Sequence, residues 1–219
     1  MAGVKIAVLI SGRGTNLQAI IDACARPDFP AEIAIVLSNE PKARGLARAE
    51  AAGLPTTAIN HRDFPNRNEF DAALDRVLSA SGVRLICLAG FMRLLDEDFI
   101  AKWRDRVINI HPSLLPAFKG LNTHQRVLES GVRFTGCTVH FVRPDMDSGP
   151  VIIQAAVPVR PGDTVNTLAD RVLAAEHRIY PLAVRLIAED RVRVTGEVVL
   201  VDGADVPEGV LINPAEEQL

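Results

Sequence analysis

Short apolar segments alternate with amphipathic segments through the first half of this 219-residue chain, and no other feature restricts the possible folds as much. Near-continuous apolar strands separated by helices are typical of a parallel sheet that is covered on both faces. With right-handed crossovers, this order predicts an α/β fold with a Rossmann-like, doubly wound sheet. The predicted strands are Val4–Ile10, Glu32–Ser38, Thr56–Ile59, Leu85–Ala89 and Val107–His111. The predicted helices are Asn16–Ala25, Lys42–Ala52, Asn68–Ala80 and Asp96–Trp103.

The second half of the chain has a different pattern. Two predicted strands, Gly136–Val142 and Val151–Val159, are joined by the turn-forming segment RPDMDSGP, so we expect them to pair antiparallel at one end of a mostly parallel sheet. Two predicted helices flank them, His124–Ser130 and Thr164–Glu189. We expect one domain over residues 1–190 and a C-terminal hairpin or tail over residues 191–219, with a turn at TGE or at DGAD.

The composition is that of a soluble globular protein, with 48% hydrophobic and 23% charged residues and a net charge of −3. This balance provides no broad basic surface, which argues against nucleic acid or an anionic membrane as the main partner. The first apolar segment lacks the features of a signal peptide, and no apolar run is long enough to cross a bilayer, so we expect a cytoplasmic protein. Cys24, Cys87 and Cys137 are far apart in apolar surroundings and are expected to be buried thiols, with no zinc site or disulfide framework.

The segment AVLISGRGTNLQAII combines a strand, a glycine loop and the start of a helix. Gly12 and Gly14 lack side chains, so an anion can approach the backbone N–H groups at the helix start. Thr15 and Asn16 add possible side-chain donors. The third glycine of a dinucleotide fingerprint and the Gly-Lys-Ser/Thr of a P-loop are both missing here, so a plain tight turn is as good an interpretation as a phosphate site.

Asn109 and His111 interrupt the apolar strand VINIH. Side chains alternate along a strand, so these two share one face, while Ile108 and Ile110 occupy the other. The pair lies at the carboxyl end of a parallel strand, where open α/β sheets bind ligands. Because burying an unpaired amide or imidazole costs about 1–3 kcal/mol, this arrangement favours a functional site over a loop cap.

Asp147 in the segment DMDSGP is a candidate carboxylate partner for the imidazole, although aspartate is also common in turns of this kind. Asp145 is a competing candidate that is expected to be more exposed. His140 is expected to support the site by hydrogen bonding. His61, His124 and His177 are expected to be surface or packing residues.

This set contains no nucleophilic serine or cysteine, because Ser113 follows His111 too closely in the chain to act with it as a nucleophile. Acid–base chemistry with an oxyanion partner remains, and no metal is needed. Asn109 is suited to donate to a carbonyl oxygen as it gains charge, and His111 to exchange protons with a nitrogen. The residues therefore predict direct acyl transfer between two bound substrates.

Five segments together resemble the phosphoribosylglycinamide formyltransferase family: ISGRGTNLQAII, LAGFMRLL, NIHPSLLPAFKGLNTH, TVHFVRPDMDSGPVI and AEHRIYP. They occur in order from about Lys5 to Asp190. The resemblance implies the formyltransferase fold and the transfer of a formyl group from 10-formyltetrahydrofolate, a co-substrate, to the amine of glycinamide ribonucleotide in purine synthesis. It also implies that Asn109, His111 and Asp147 form the catalytic set.

The resemblance further implies two binding sites. The glycinamide ribonucleotide is expected at Gly14, Thr15, Asn16 and Glu176. The folate is expected at Arg67, Met92, Arg93, Leu94, Leu95, Asn109, Arg143, Pro144, Asp145, Met146 and Asp147. For Phe91 and Leu94 simple core packing is the favoured interpretation, and Arg67 is equally consistent with a solvated helix residue. Arg13 departs from the small or neutral residue expected in the glycine loop, and it is placed to contact the phosphate or to face solvent.

Three other functions remain as alternatives. A 10-formyltetrahydrofolate hydrolase shares the catalytic pattern, but such relatives carry an additional N-terminal regulatory domain. Methionyl-tRNA formyltransferase carries an additional C-terminal RNA-binding domain, which the length and the acidic balance argue against. A non-catalytic sensor of a phosphate ligand is less compatible with the three catalytic residue types. The expected partners are therefore small molecules, and the protein is expected to be a monomer or a homodimer.

Overall fold

The computed structural model describes residues 3–205 and 208–214 of the chain. Its strands are β1 (Val4–Ile10), β2 (Ala31–Ser38), β3 (Thr56–Ala58), β4 (Leu85–Leu88), β5 (Val107–His111), β6 (Phe134–Phe141), β7 (Val151–Pro158), β8 (Val192–Thr195) and β9 (Val198–Val201). Its α-helices are α1 (Thr15–Cys24), α2 (Arg44–Ala51), α3 (Arg67–Ala80), α4 (Glu97–Lys102), α5 (Thr123–Ser130) and α6 (Val165–Ala188). A 3-10 turn, His61–Asp63, follows β3.

The first seven strands form one sheet in the order β3-β2-β1-β4-β5-β6-β7. Strands β1 to β5 pair in parallel, whereas β6 pairs antiparallel with both β5 and β7. The predicted α/β fold class is thus confirmed, including the antiparallel strands in the C-terminal half. The chain direction across the sheet reverses between β1 and β4, and in open α/β sheets ligands bind in the crevice outside the strand ends at such a point.

Side chains of each central strand alternate between two apolar layers. Ile6, Val8 and Ile10 of β1 pack with Leu17 and Tyr180 on the side of α1 and α6. On the opposite face, Ala7 and Leu9 pack with side chains of α3 and α4, among them Phe70, Leu74 and Phe99. Because both faces are covered, the central strands read as continuous apolar runs in the sequence.

Helix α6 packs on the same face of the sheet as α1. Its first turn is fixed by a capping box, in which Thr164 and Thr167 exchange side-chain and backbone hydrogen bonds. Farther along, the buried hydroxyl of Tyr180 lies 2.9 Å from the carbonyl oxygen of Leu88 and 3.3 Å from that of Ile108. This side chain therefore ties the helix to the carboxyl end of β4 and to the first half of β5.

A two-stranded hairpin follows α6. Strands β8 and β9 pair antiparallel, and Gly196 and Glu197 form the turn between them. Gly196 has a φ of 61°, a conformation that glycine adopts without the cost of a side chain. The turn therefore lies at TGE, the first of the two expected places. The predicted separation of a domain over residues 1–190 stays a prediction.

The three cysteines differ in burial. Cys87 and Cys137 are buried, and all three are free thiols, but Cys24 is only partly buried. The expectation of a buried thiol was therefore wrong for Cys24, which is the last residue of α1 and lies outside the buried set of that helix, Leu17, Ile20 and Ile21.

Candidate active site

The predicted polar pair lies at the carboxyl end of β5, between β4 and β6. The imidazole of His111 is buried, and its Nδ1 lies 3.3 Å from Oδ2 of Asp147. Asp147 reaches it from the turn between β6 and β7, where its φ of 47° is in the left-handed region that aspartate tolerates. The competing carboxylate, Asp145, is exposed as expected.

The other nitrogen of His111 is also engaged, since Nε2 lies 3.0 Å from the carbonyl oxygen of Phe118. A carboxylate and a carbonyl are both acceptors, so only the doubly protonated ring satisfies both contacts. The N–H of Gly120 donates to Oδ2 of Asp147 at 2.7 Å. The segment 117–123 thus encloses both groups: Phe118 contacts the imidazole of His111, and Gly120 contacts the carboxylate of Asp147.

Asn109 is held by a second histidine. Its Nδ2 lies 3.3 Å from Nε2 of His140, while Nδ1 of His140 lies 2.9 Å from the carbonyl oxygen of Phe141 and 3.1 Å from that of Ser148. The two carbonyls require a proton on Nδ1, so Nε2 of the neutral ring accepts from the amide. Burial lowers the pKa of His140, which favours this neutral form. The remaining N–H of the Asn109 amide is then available to a ligand.

The glycine loop lies beside this site, after β1. Gly14 caps α1 in the left-handed conformation, with a φ of 71°. A Cβ at Gly14 would lie 2.7 Å from Cα of Gly45 at the start of α2, so the loop packs where only glycine fits. The first N–H groups of α1 point out of this loop, as an anion site requires. Arg13 is exposed, and its carbonyl accepts a hydrogen bond from Arg48.

Glu176 of α6 meets the start of α1. The amide of Asn16 donates to Oε2 of Glu176 at 2.7 Å, although the two residues are far apart in sequence. Burial raises the pKa of Glu176, and the hydrogen bond from Asn16 opposes that shift. Oδ1 of Asn16 is buried with no hydrogen-bond partner among the described residues. Thr15 is half-buried next to it.

A cleft on the other side of Asn109 brings together most of the predicted folate residues. The described residues that line it include Phe91, Arg93, Leu94, Leu95, Asn109, His140, Arg143, Pro144, Asp145, Met146 and Asp147. Met92 lies outside this lining and is 66% exposed. Arg67 is exposed at the start of α3, in a neighbouring surface cleft that it shares with Leu95 and Pro144.

The packing interpretation holds for one residue of the LAGFMRLL segment and fails for another. Phe91 is buried against α3 and α4, as expected. Leu94 is instead 51% exposed and lines the cleft, so the prediction of core packing was wrong. The physical reason is that the chain leaves the sheet after β4 as a loop, in which Phe91 faces the apolar layer of α3 and α4 whereas Leu94 faces the cleft.

Sequence reasoning missed a polar link between the two binding regions. The hydroxyl of Ser11 donates to Oδ1 of Asn39 and accepts a hydrogen bond from the N–H of Met92 at 2.7 Å. Asn39 also contacts His61, whose Nδ1 lies 3.0 Å from its carbonyl oxygen. The available signal was that Ser11 and Asn39 each directly follow a buried parallel strand, at the edge where ligands bind.

His124 and His177 have the surface or packing surroundings expected of them, and Ser113 follows the end of β5. His124 and His177 are half-buried, and burial lowers the pKa of both. The buried hydroxyl of Ser113 donates to the carbonyl oxygen of Ala117 at 2.6 Å, so it shapes the loop after β5.

Two other kinds of site are not found among residues 3–205 and 208–214. No group of three or more His, Cys, Asp or Glu side chains is arranged to hold a metal ion in that part of the chain. None of the helices described there has the length and apolar character needed to span a bilayer.

Comparison with known proteins agrees with this geometry. The chain is 56% identical over 191 residues to the trifunctional purine biosynthetic protein adenosine-3 of Gallus gallus, which covers 87% of the chain but only 19% of that protein. It is 44% identical over 209 residues to the phosphoribosylglycinamide formyltransferase of Haemophilus influenzae, covering 95% and 99% of the two chains. The chain thus spans less than a fifth of the trifunctional relative.

Solved structures show the same relationship in three dimensions. The crystal structure of glycinamide ribonucleotide transformylase 1 from Symbiobacterium toebii superposes with a TM-score of 0.89 at 51% identity, covering 91% of this chain and 94% of that one. The family model described as formyl transferase matches residues 4–184. The five segments quoted above for their resemblance all lie within that match, and the chain belongs to the formyl transferase family.

Proposed function

We propose that this protein is a phosphoribosylglycinamide formyltransferase, which moves the formyl group of 10-formyltetrahydrofolate to the amine of glycinamide ribonucleotide in purine biosynthesis. The observation that carries the proposal is the 3.3 Å contact between His111 and Asp147 beside Asn109, at the junction of an anion loop and a cleft. The names of relatives that align over nearly their whole length support the same reaction.

In this proposal the ribonucleotide binds with its phosphate at Gly14, Thr15 and Asn16. Backbone N–H groups and the positive end of the α1 dipole stabilise the anion there. Glu176 lies 2.7 Å from the Asn16 amide and contacts the same substrate. This placement directs the glycinamide amine along the strand ends toward Asn109.

The folate occupies the cleft beside Asn109. The exposed apolar side chains of Leu94 and Met146 provide contact surface for a flat ring, while Asp147 and Asn109 supply polar groups at its inner end. Arg67, in the adjoining surface cleft, is available to the acidic tail of the folate. Met92, although outside the lining, holds its segment in place through the hydrogen bond to Ser11.

Transfer proceeds by direct attack of the amine on the formyl carbon, which forms a C–N bond and places negative charge on the formyl oxygen. The free N–H of Asn109 and the protonated ring of His111 stabilise that oxyanion. Collapse of the adduct breaks the bond to the folate nitrogen, which takes a proton from His111. The proton lost by the attacking amine restores the imidazolium. The formyl group is therefore transferred with no net change in the protonation of His111.

His111 must exchange one of its two present contacts in order to reach the reacting atoms. Asp147 keeps the charged ring oriented, so the contact with Phe118 is the one that is exchanged. Because Phe118 lies in the segment Ala117–Thr123, movement of this segment about Gly120 accompanies the reaction.

The experiment that tests the proposal follows loss of the formyl group from 10-formyltetrahydrofolate with and without glycinamide ribonucleotide. Loss that depends on the amine, with formylated product, supports the transferase. Loss without the amine would establish a hydrolase instead, and no loss in either mixture would favour a sensor. The cytoplasmic location and the monomeric or homodimeric state remain predictions.

A further inference from the structure

We propose that Glu197, in the turn of the C-terminal hairpin, is a positioning residue for the folate-binding loop 143–149. This inference rests on the proposed function and extends it to a part of the chain that the site does not otherwise use. The loop runs from Arg143 to Gly149 and carries Asp147, so its placement sets both the cleft wall and the carboxylate.

The connection passes through the side chain of Arg143. Its Nε lies 3.1 Å from Oε1 and 3.0 Å from Oε2 of Glu197, and its Nη2 lies 2.9 Å from Oδ1 of Asp105. Nη1 donates to the carbonyl oxygen of Val142 at 3.2 Å. The guanidinium is thus directed to two carboxylates and the backbone, while the rest of the residue lines the cleft.

Arg143 and Glu197 are buried to different extents, and this difference explains why the charge of Glu197 helps to hold Arg143 in place. The Arg143 side chain is 8% exposed, whereas that of Glu197 is 58% exposed. A buried cation without a partner is costly, because the protein interior solvates charge poorly. Glu197 therefore supplies, from the surface, one of the two negative charges that keep Arg143 in its buried position.

The stem of Arg143 in turn supports the end of the loop. A Cβ at Gly149 would lie 2.9 Å from Cγ of Arg143 and 2.2 Å from the carbonyl oxygen of Phe141. The returning chain, two residues after Asp147, thus rests directly on the arginine side chain. If Arg143 leaves this position, both the entry and the exit of the loop lose their support.

Glu197→Gln removes the charge and keeps the shape, and Arg193→Gln is the matched control. Arg193 is on the same hairpin and pairs with Asp202 at 2.9 Å, but both side chains are exposed and neither contacts Arg143. Both variants are compared with the wild type in steady-state formyl transfer, with each substrate varied in turn. Hydrogen exchange of the amides in residues 143–149 is measured in parallel.

We expect Glu197→Gln to raise KM for formylfolate about threefold to tenfold, because the pair is half-exposed but one partner is buried. KM for glycinamide ribonucleotide is expected to change by less than about twofold, since the anion loop lies elsewhere. The amides of the loop are expected to exchange faster in Glu197→Gln than in Arg193→Gln. Combined with Arg143→Gln, the Glu197 substitution should have no further effect.

An unchanged KM for formylfolate in an active enzyme overturns the proposal, as does an equal rise in both KM values, which would indicate general loosening. If the wild type transfers no formyl group, the proposed function fails on its own. The hydrogen-exchange comparison still decides the positioning role in that case: unchanged exchange across residues 143–149 rejects it.

Discussion

Oδ2 of Asp147 lies 3.3 Å from Nδ1 of His111 and accepts a hydrogen bond from the N–H of Gly120 at 2.7 Å. One carboxylate oxygen therefore joins the end of β5, the turn after β6 and the segment 117–123. Such a shared contact makes the orientation of the imidazole depend on two loops that are distant in sequence. The first two predictions concern this relationship.

Replacing His111 with alanine is expected to lower kcat about a hundredfold to ten-thousandfold, the range for loss of a general acid–base group. KM for both substrates should change little, because the phosphate loop and the apolar cleft do not depend on the imidazole. Steady-state kinetics of amine-dependent formyl transfer measure the effect, with circular dichroism to verify folding. Near-normal turnover of the purified variant would disprove the role.

Asp147→Asn is expected to lower kcat by at least about tenfold, because a neutral amide orients the charged imidazole less strongly than a carboxylate. Asp145→Asn is the matched comparison, since Asp145 is two residues away and exposed. Its effect should be confined to KM for formylfolate. Kinetics of both variants decide the assignment, and a larger fall in kcat for Asp145→Asn would reverse it.

His140→Ala is expected to reduce kcat about tenfold by freeing the Asn109 amide, which now donates to Nε2 at 3.3 Å. Because burial lowers the pKa of His140, the wild-type ring stays neutral and should add no ionisation to the pH–rate profile near neutral pH. His61→Ala serves as the control. Equal kcat for the His140 variant and the wild type would show that Asn109 needs no such partner.

Glu176→Gln is expected to raise KM for glycinamide ribonucleotide about tenfold, as the substrate loses a charged acceptor. Glutamine still offers an oxygen to the Asn16 amide, so the start of α1 should remain in place. KM for formylfolate is the internal control. A rise in the folate KM alone would place Glu176 in the other binding site.

Asp71 makes the stability of the fold depend on pH. It is buried on α3, and this burial raises its pKa from 3.8 to about 6, although the N–H of Asp96 donates to it at 2.6 Å. A raised folded-state pKa means that the native state binds more protons than the unfolded state between these values. The contribution to stability is therefore lost as the pH rises from about 4 to 6.

Asp71→Asn is expected to remove this loss, because asparagine does not ionise. The difference in the free energy of unfolding between the variant and the wild type should therefore shift in favour of the variant, by up to about 3 kcal/mol, as the pH rises from 4 to 7. Urea unfolding at several pH values measures the difference.

Asp75→Asn, one turn along α3, is the control. The hydrogen bonds from Lys102 and Trp103 lower the pKa of Asp75 despite its burial, so that variant should be destabilised equally at pH 5 and pH 7. Parallel curves for Asp71→Asn and the wild type would contradict the prediction.

Local sequence patterns were sufficient for the architecture. Strand β1 and helix α1 follow from an apolar run, a glycine loop and an amphipathic segment, which are short-range features. The face shared by Asn109 and His111 follows from the period of a strand alone. Asp147 was a candidate partner, with Asp145 as its competitor, because it follows the end of a predicted strand, and the structure places it 3.3 Å from the imidazole.

Contacts between distant segments did not follow from these patterns. The link from Ser11 to Met92 and the neutral form of His140 depend on which strand ends are neighbours and on how deeply each group is buried. Leu94 was expected in the core because it is apolar. Apolar character alone does not determine whether another element covers the side chain, and Leu94 faces the cleft instead.

By itself, the sequence determined the order of strands and helices along the chain, the fold class and the residue types of the candidate site, because hydrophobic periodicity and turn chemistry act over a few residues. Only the tertiary structure decided that Phe118 and Gly120 enclose His111 and Asp147, and that Glu197 reaches Arg143 from the C-terminal hairpin. The physical reason is that such contacts require strand order, loop path and desolvation together, and these quantities exist only once the chain has packed.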